Sequence, residues 1–205
     1  MMMPCPIVTQ IAPTAEELVS LSVLAQFLGF DADYDAAQDV VLPVLRQSAI
    51  ELGEQMTGCV WGAASYEVRG LPVYQCGRYP AVRLPVVPVM AVAKVSYTDD
   101  GGAEVVLDPT SYTLTPAALE LGRPWAELSP VTAWPAGVTT LDVECTAGWT
   151  ADTLPDSLRS WILTRVATLY DLRQDVSVGS SVAAMPRDHT RSLLDRWTVR
   201  GLPYG

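Results

Sequence analysis

The chain has 205 residues, of which 49% are hydrophobic and 18% are charged. It is therefore long enough to bury a core, and its composition is that of a folded protein rather than a disordered one. Its formal net charge of −10 argues against a surface that grips nucleic acid, because phosphate binding needs clustered lysine and arginine. The modest share of charged residues mildly favours buried contacts between subunits.

The charge is spread unevenly along the chain. No lysine or arginine precedes Arg46. The acidic residues of that first part are Glu16, Glu17, Asp31, Asp33, Asp35 and Asp39. The far end instead carries Arg187, Arg191, Arg196 and Arg200. A solvated surface often explains such an asymmetry, but two different partners, or an acidic lumen together with a docking arm, explain it as well.

The cysteines do not form a metal-binding pattern. Cys5, Cys59, Cys76 and Cys145 include no C-x-x-C pair and have no histidine at ligand spacing. We therefore expect no zinc and no other cofactor, and we expect free or buried thiols in a reducing compartment. The beginning of the chain lacks a basic region with a cleavage site, and no apolar run reaches the roughly 18 residues of a membrane span. These features predict a protein made in the cytoplasm with no membrane partner.

The first part of the chain predicts a lead-in and a helix. Residues 1–13 contain three prolines and no charge, which predicts an extended, mobile segment. A first helix is expected within 14–28. Thr14 and Glu17 have capping-box spacing, whereas Ser20 offers a later start, and Gly29 is a plausible left-handed stop.

A second helix is predicted over roughly Ala36–Met56. Its apolar residues Val41, Leu45, Ala49, Leu52 and Met56 fall on one face. Gly58 can terminate it. Pro43 conflicts with an unbroken helix, so either the helix begins near Leu42 with Pro43 in its first turn, or it is kinked there.

From Cys59 to Gly148 the pattern becomes that of β structure. The predicted strands are Val60–Val68, Met90–Thr98, Ala103–Leu107, Tyr112–Thr115, Ala118–Leu121 and Thr140–Thr146. The segment 99–102, Asp-Asp-Gly-Gly, indicates a hairpin turn. Prolines at 80, 85, 88, 124, 130 and 135 mark two irregular crossings.

Two further helices are predicted after the β region. Pro155 opens a long helix whose apolar stripe runs from Leu158 to Tyr170 and which ends near Gln174. A flexible loop, 175–186, then leads to a short helix from about Asp188 to Val199. Its apolar side consists of Leu193, Leu194 and Trp197, and Gly201 is its stop. The fold class is thus α+β, a helical body (1–58 and 151–205) with an inserted small antiparallel β domain at 59–150.

The chain is poor in catalytic groups. Its one histidine, His189, is more often solvated than catalytic in such a context. Cys145 has no base near it in sequence, and no nucleophile-elbow, phosphate-loop or zinc-protease motif occurs. We therefore predict that the protein is not an enzyme. A small hydrolase or isomerase that uses Cys145 or His189 is the weaker alternative.

The tryptophans leave a second alternative open. Trp125, Trp134 and Trp149 lie at turns beside proline or glycine, which is compatible with a face that stacks on a carbohydrate or peptide. Tryptophans that close the edge of a small β domain explain the same positions more simply. Trp197 and Tyr204 lie with Arg196 and Arg200, a residue set enriched at protein interfaces.

The order of these parts resembles that of the head–tail connector proteins (adaptor, or head-completion, proteins) of long-tailed phages and gene-transfer particles. The residues that carry the resemblance form a series along the chain. They are Leu84-Pro85-Val86-Val87-Pro88-Val89, Val92, Val95, Tyr97, the turn 99–102, Leu107-Asp108-Pro109, Tyr112, Trp134-Pro135, the strand end Val143 to Gly148, Leu154-Pro155, and Tyr170 with Arg173. The similarity covers roughly 20–200. Pro43 and the Gly58-Cys59 pair depart from the family pattern.

The resemblance implies a ring, typically of twelve subunits, between the portal of a filled capsid and the stopper or tail-completion protein, with DNA passing through its lumen. It implies a location in the virion, at the head–tail junction. In that family the C-terminal segment often reaches toward the portal. Carried over to this sequence, the portal-docking residues are Arg191, Leu194, Trp197, Arg200 and Tyr204.

A ring needs two different complementary surfaces on each subunit. The acidic first helices and the arginine-bearing end can meet across neighbouring subunits and set their orientation. A net-negative lumen repels DNA phosphates, so the duplex slides rather than binds. We hypothesise that the lumen is lined by acidic residues from the following set: Asp31, Asp33, Asp35, Asp39, Glu51 and Glu54.

Overall fold

The computed structural model describes residues 6–12, 17–31, 34–35, 39–73, 81–119, 122–171 and 187–199, with the backbone alone for 187–189. The helices within these ranges are α1 (Leu21–Phe27), α2 (Val41–Thr57), α3 (Asp156–Asp171) and α4 (Arg187–Asp195). The strands are β1 (Ile7–Ala12), β2 (Ala64–Pro72), β3 (Val82–Arg83), β4 (Val89–Thr98), β5 (Glu104–Val106), β6 (Tyr112–Thr115), β7 (Glu127–Pro130) and β8 (Thr140–Ala147). The mixed α+β class is confirmed.

The strands form two antiparallel sheets. The larger sheet has the order β1-β2-β8-β4-β5, and the smaller has the order β3-β7-β6. Along β8, burial alternates residue by residue, with Leu141, Val143, Cys145 and Ala147 facing the core. Because side chains alternate across a strand, this single face supplies one wall of a core that also includes Val68 and Val95.

The first strand differs from its prediction. Residues 7–12 are extended, as expected, but they pair antiparallel with β2, with Val8 opposite Val68, instead of forming an unattached lead-in. Their backbone groups find partners some sixty residues along the chain, a pairing that no local pattern reports. The sheet therefore includes a strand from outside 59–150. The division of the chain into 1–58, 59–150 and 151–205 stays a prediction.

The two early helices begin late in their predicted ranges: α1 begins after Ser20 rather than after Thr14, and α2 begins at Val41, close to the alternative start at Leu42. Ser20 caps α1 by accepting a hydrogen bond from the Val23 amide at 3.4 Å. The Asp39 carboxylate accepts from the Val41 amide at 2.6 Å and from the Leu42 amide at 3.2 Å, so it caps the start of α2. Pro43 therefore lies in the first turn, where a helix needs no amide hydrogen. Gly58 ends α2 in the left-handed conformation, with φ of 69°.

Other boundaries differ from the predictions in identifiable ways. The strand predicted over Val60–Val68 runs from Ala64 to Pro72. The strand predicted over Ala118–Leu121 is not found in residues 118–119, the part that the structure describes, where Ala118 forms only an isolated bridge with Arg123. The short strand β3 and the strand β7 were not predicted, since the nearby prolines resembled irregular chain.

The last two helices have the predicted character. α3 begins at Asp156, directly after Pro155, while its predicted end near Gln174 and the loop 175–186 lie outside the described residues. α4 ends at Asp195 rather than near Val199, and Gly201 also lies outside the described residues.

The buried residues form two clusters, which meet where the chain enters and leaves the large sheet. One cluster contains the helices and Trp61, and the other fills the space between the sheets. At the junction, the Trp149 amide donates to the Trp61 carbonyl at 2.7 Å and the Ala63 amide donates to the Trp149 carbonyl at 3.0 Å. This backbone pairing joins the helical part to the sheet.

In the described chain, no helix is both long enough and apolar enough to cross a membrane.

Candidate docking surfaces

The C-terminal helix α4 is anchored on the helical cluster. Leu194 is buried, with only 1% of its surface exposed. Trp197, just after α4, donates from its indole Nε1 to Ser157 Oγ at the start of α3, at 2.7 Å. Its ring meets that of Trp149 edge to face, with 5.7 Å between centroids. These contacts fix α4 against the rest of the molecule.

The segment after α4 is tied to the end of α2. The Val199 amide donates to the Thr57 carbonyl at 2.7 Å. Cys59 Sγ donates to the Trp197 carbonyl at 3.2 Å. These two bonds attach residues 197–199 to residues 57–59, so the last described residues lie beside the turn that follows α2.

The predicted portal-docking residues are divided between core and surface. Leu194 is inside the helical cluster and Trp197 is partly buried against it. Arg191 is exposed on the outer face of α4, and no ion pair to it occurs in the described chain. Arg200 and Tyr204 lie outside the described residues. Leu194 and Trp197 therefore hold the helix in place, while Arg191 is available to a partner.

The apolar side of the predicted C-terminal helix already indicated that some of the docking residues would be buried. A helix with Leu193, Leu194 and Trp197 on one side is expected to bury that side against its own chain. Leu194 and Trp197 were therefore predicted both to form the apolar side of the helix and to bind the portal. The partner residues Ser157 and Thr57 had no sequence signal, because they are polar side-chain and backbone groups far along the chain.

The predicted acidic residues before α2 have different surroundings. Asp31 is exposed and lies with Asp35 in an open groove between α1 and the segment after it, lined also by Phe30 and Tyr34. Asp39 is the cap of α2 and also accepts a hydrogen bond from the Tyr34 hydroxyl. Asp33 lies outside the described residues.

The two acidic residues on α2 differ from each other. Glu51 is exposed and accepts a hydrogen bond from Gln47 Nε2 at 3.0 Å. The Glu54 carboxylate instead turns toward the chain and accepts from the Trp61 amide at 2.7 Å. Burial raises the pKa of Glu54, and the amides of Trp61 and Gly62 offset part of that rise. Glu54 is therefore a structural group at the end of α2, whereas Glu51 faces outward.

The candidate nucleophile is in an unreactive setting. Cys145 is buried in β8, and burial raises the pKa of its thiol to about 11. A thiol of that pKa forms little thiolate at neutral pH. The side chain of His189 lies outside the described residues. Among the described residues, no group of three or more histidine, cysteine, aspartate or glutamate side chains is placed to hold a metal ion.

The tryptophans considered for ligand stacking fill the cores. Trp134 and Trp149 are 8% and 7% exposed, and Trp125 packs against the helical cluster. Stacking on a sugar or peptide needs an open ring face. Trp134 and Trp149 do not offer such a face, so the geometry does not favour the binding-module alternative.

Chains in solved structures of gene transfer agent particles share this fold. No protein-family model matches the chain, and no curated protein matches it. Three similar chains come from gene transfer agent (GTA) particles: the neck of an empty particle computed with C6 symmetry (18% identity, TM-score 0.67), the virion of a native particle (20%, 0.68) and the neck of a native particle computed with C12 symmetry (23%, 0.63). Each alignment covers 96% of this chain and 98% of the other.

The shared fold extends over nearly the whole chain. It is consistent with a head–tail connector protein of a gene-transfer particle, which is the family that the sequence resembles. At these levels of identity the likeness establishes the fold, and residue roles have to be argued from this chain.

Proposed function

We propose that this chain is a structural, non-enzymatic head–tail adaptor of a virion or gene-transfer particle. It forms a ring, of twelve subunits on our hypothesis, between the portal and the stopper or tail-completion protein, with a central channel for DNA. The observation that carries the proposal is the likeness over 96% of the chain to components of particle necks and virions. The particles named with C6 and C12 symmetry support a homo-oligomeric ring.

The portal-docking surface is centred on the outer face of α4. Arg191 is its exposed cation within the described chain, and Arg200 and Tyr204 extend the surface along the sequence. Leu194 and Trp197 contribute by fixing the helix on the body. An anchored helix presents its side chains with little loss of conformational freedom on binding, which favours affinity.

The lumen is acidic on this proposal. Asp31, Asp35 and Glu51 are exposed, and Asp33 belongs to the same stretch of sequence. Asp39 and Glu54 contribute charge but are engaged in capping α2 and in holding Trp61. Negative walls leave DNA phosphates without fixed partners, so the duplex passes without sequence-specific binding.

The test is to mix the protein with the portal of the same particle and to record mass photometry and negative-stain images. A ring stacked coaxially on the portal is the expected result. Deletion of the whole of 187–205 is a poor variant, because it removes the buried Leu194. Arg191→Glu, combined with deletion of 200–205, removes the docking surface and keeps the anchor.

A matched control is Arg123→Glu, because Arg123 is an exposed arginine that lies outside α4 and outside 200–205. We expect the control to form the same complex and the docking variant to lose it. A wild-type chain that stays apart from the portal at every salt concentration contradicts the adaptor proposal. Equal binding by the docking variant contradicts the assignment of α4.

A further inference from the structure

A small apolar pocket opens beside the end of α4. Its volume is about 250 Å³, and every lining residue that the structure describes is apolar. Trp197 forms one wall and Trp149 another, and the remaining walls come from within 88–90 and 116–119. An apolar cavity of about 150 Å³ already holds a benzene molecule, so this pocket has room for an aliphatic side chain.

The pocket has a buried inner end and an exposed mouth. Val89 and Trp149 are 1% and 7% exposed, so they lie at its inner end, whereas Met90 is 50% exposed and lies at its mouth. The described side chains that line it include no strong hydrogen-bond acceptor, because an indole N–H is a donor and a thioether sulfur accepts only weakly. An apolar occupant therefore suits the pocket better than a polar one.

The chain after α4 already lays its apolar side chains on the body of the molecule. Leu194 belongs to the helical cluster, and Leu193, Trp197 and Val199 pack against it. The Val199 amide also donates to the Thr57 carbonyl at 2.7 Å. The chain is thus held down on the body up to its last described residue, two positions after a residue that lines the pocket.

The next apolar side chain along the sequence is Leu202, within Arg-Gly-Leu-Pro-Tyr-Gly at 200–205. A chain spans at most about 3.6 Å per residue. The Cα atom of Val199 therefore lies within about 7 Å of that of Trp197, and the Cα atom of Leu202 has a reach of about 11 Å from Val199. A turn at 200–201 is enough to return Leu202 to the Trp197 ring.

The residues beside Leu202 suit such a path. Gly201 adopts turn conformations that other residues avoid, and the residue before a proline, here Pro203, favours an extended backbone. Tyr204 is a poorer occupant of the pocket, because a buried tyrosine hydroxyl needs a hydrogen-bond partner and the described lining side chains offer it no strong acceptor.

We infer that Leu202 of the same chain fills this pocket, and that this contact holds Arg200 and Tyr204 beside α4 for docking on the portal. Each of those two residues is two positions from Leu202, so its Cα atom stays within about 7 Å of the anchored residue. A segment held in this way loses less conformational freedom on binding, which favours affinity. The docking half of the inference rests on the function proposed above, whereas the position of Leu202 does not.

Methyl NMR of the full chain tests the position of Leu202 directly. With leucine, valine and methionine methyl groups labelled, Leu202 is expected to give nuclear Overhauser contacts to the indole protons of Trp197 and to the Met90 methyl group. Val131, which is 55% exposed and lies outside the pocket, is the control and is expected to give none to those groups. Leu202 methyl groups without these contacts, or contacts from the Tyr204 ring in their place, overturn the inference.

A disulfide experiment distinguishes the same chain from a neighbouring copy. Met90→Cys and Leu202→Cys are introduced together. The background carries Cys5→Ser and Cys76→Ser, and its remaining thiols, Cys59 and Cys145, are buried. Mild oxidation is expected to remove both new thiols from alkylation while the chain keeps its monomer mass on a non-reducing gel. Covalent dimers in place of that bond assign Leu202 to a neighbour's pocket and overturn the inference.

The control replaces Met90→Cys by Val106→Cys. Val106 is also exposed and apolar, but it lies opposite Ser96, which is about 20 Å along β4 from Met90. A disulfide needs Cα atoms within about 7 Å, so an anchored Leu202→Cys is expected to leave Val106→Cys unbonded. Equal bonding at both positions shows that the segment is not anchored and overturns the inference.

Mixing with the portal tests the consequence for docking. Leu202→Asp is expected to weaken portal binding roughly tenfold, because the freed segment has to be ordered on binding, and Leu202→Met is expected to keep it near wild type. Met90→Asp should weaken binding to a similar extent, and the two aspartates together should weaken it no more than either alone. Val131→Asp is the control.

Additive losses from the two aspartates show that Leu202 contacts the portal itself, and they overturn the inference. A wild-type chain that does not bind the portal removes the proposed function. In that case the NMR contacts of Leu202 still decide whether it fills the pocket.

Discussion

At the residue scale, Gly53 in the middle of α2 is determined by its neighbour Trp61. A Cβ atom at this position would lie 2.1 Å from Cη2 of the fully buried Trp61 ring. The indole is held in place by a hydrogen bond from its Nε1 to Thr57 Oγ1 at 3.1 Å. Glycine here is therefore a packing requirement, although it lowers helix propensity.

We expect Gly53→Ala to lower the free energy of unfolding by about 1–3 kcal/mol, because overpacking a closed core outweighs the gain in helix propensity. Chemical denaturation measures this change. The three nearest ring atoms belong to the six-membered ring of Trp61, so Gly53→Ala is expected to cost less in a Trp61→Phe background. Additive effects of the two substitutions contradict the packing explanation.

Glu54 gives the chain a pH dependence of known sign. Burial raises the pKa of this carboxyl in the folded state, so between its ordinary and its raised pKa the folded chain binds more protons than the unfolded one. Stability from this group is then present at low pH and is lost as the pH rises through the raised pKa.

We expect Glu54→Gln to remove that loss, since the amide oxygen still accepts from the Trp61 amide and carries no charge. The variant and the wild type should have equal stability below the ordinary pKa of a glutamate, and the variant should become the more stable as the pH rises. Thermal midpoints measured across that range check this. Glu51→Gln, on the exposed face of the same helix, is the control. Parallel curves for Glu54→Gln and wild type contradict the assignment.

Residue-level features of this kind were only partly predictable from the sequence. Gly58 was predicted as a helix stop because a left-handed glycine after an apolar stripe is a local pattern. Gly53 and Glu54 had no such pattern, since their roles come from contacts with Trp61. Trp61 follows the end of α2 at Gly58, and its packing against the helix is not visible in the sequence. The two lumen candidates on α2 were equivalent in sequence, and only the fold distinguishes the inward Glu54 from the outward Glu51.

At the scale of elements, α4 is a helix with an anchoring side and a free side. We expect Leu194→Ala to lower the free energy of unfolding by about 2–5 kcal/mol, because it leaves a cavity in the helical cluster. Arg191→Ala is expected to change it by no more than about 0.5 kcal/mol, as for other exposed positions. Denaturation followed by tryptophan fluorescence checks both.

The same pair separates stability from docking. Arg191→Ala should weaken portal binding at unchanged stability, whereas the effect of Leu194→Ala on binding should follow its loss of stability. A large loss of stability for Arg191→Ala, or none for Leu194→Ala, contradicts the division of the helix into two sides.

Elements with a strong local period were predicted, and those that depend on distant pairing were not. α3 and the strands at 89–98 and 140–147 follow clear apolar patterns, and their predicted centres are confirmed. β1 has no alternation to read, because all six of its residues are exposed, and it is a strand only because β2 lies beside it. In β7, the apolar Leu128 stands between the polar Glu127 and Ser129 and is buried in the structure. This alternation was a sequence signal for the strand, but the adjacent prolines obscured it.

At the scale of the whole molecule, the helical cluster and the sheets are joined at residues 61–63 and 148–149. Gly148 has φ of +96°, and a Cβ atom there would lie 2.3 Å from the Gly62 carbonyl oxygen. The Gly148 amide donates to the Pro88 carbonyl at 2.9 Å. Gly148, which follows β8, thus lies against the residues that precede β2 and β4. The space there admits only glycine.

We expect Gly148→Ala to lower the free energy of unfolding by at least about 1–3 kcal/mol, because it combines a strained backbone with a clash against another backbone. The wild type is expected to unfold in one calorimetric transition, since the junction joins the two clusters. Gly122→Ala is the control, because Gly122 also has positive φ but has nothing within 4 Å of its added Cβ. Equal effects of both substitutions contradict a special role for the junction.

The class of fold and the resemblance to connectors were accessible from the sequence, because they depend on the order of parts. The order of strands in the large sheet was not, since it brings together segments from 7–12, 64–72 and 140–147. The charge asymmetry likewise predicted two kinds of surface, but it did not indicate that Leu194 and Trp197 pack against the helical cluster.

The burial of the described thiols has a consequence for the durability of the protein. Burial is the main cause that raises the pKa of Cys59 to about 12 and that of Cys145 to about 11. Both therefore remain protonated and shielded in neutral medium, and protonated thiols are poor targets for peroxides and for disulfide exchange. In oxidising surroundings these two side chains therefore stay chemically intact for as long as the chain stays folded, and their oxidation begins with unfolding.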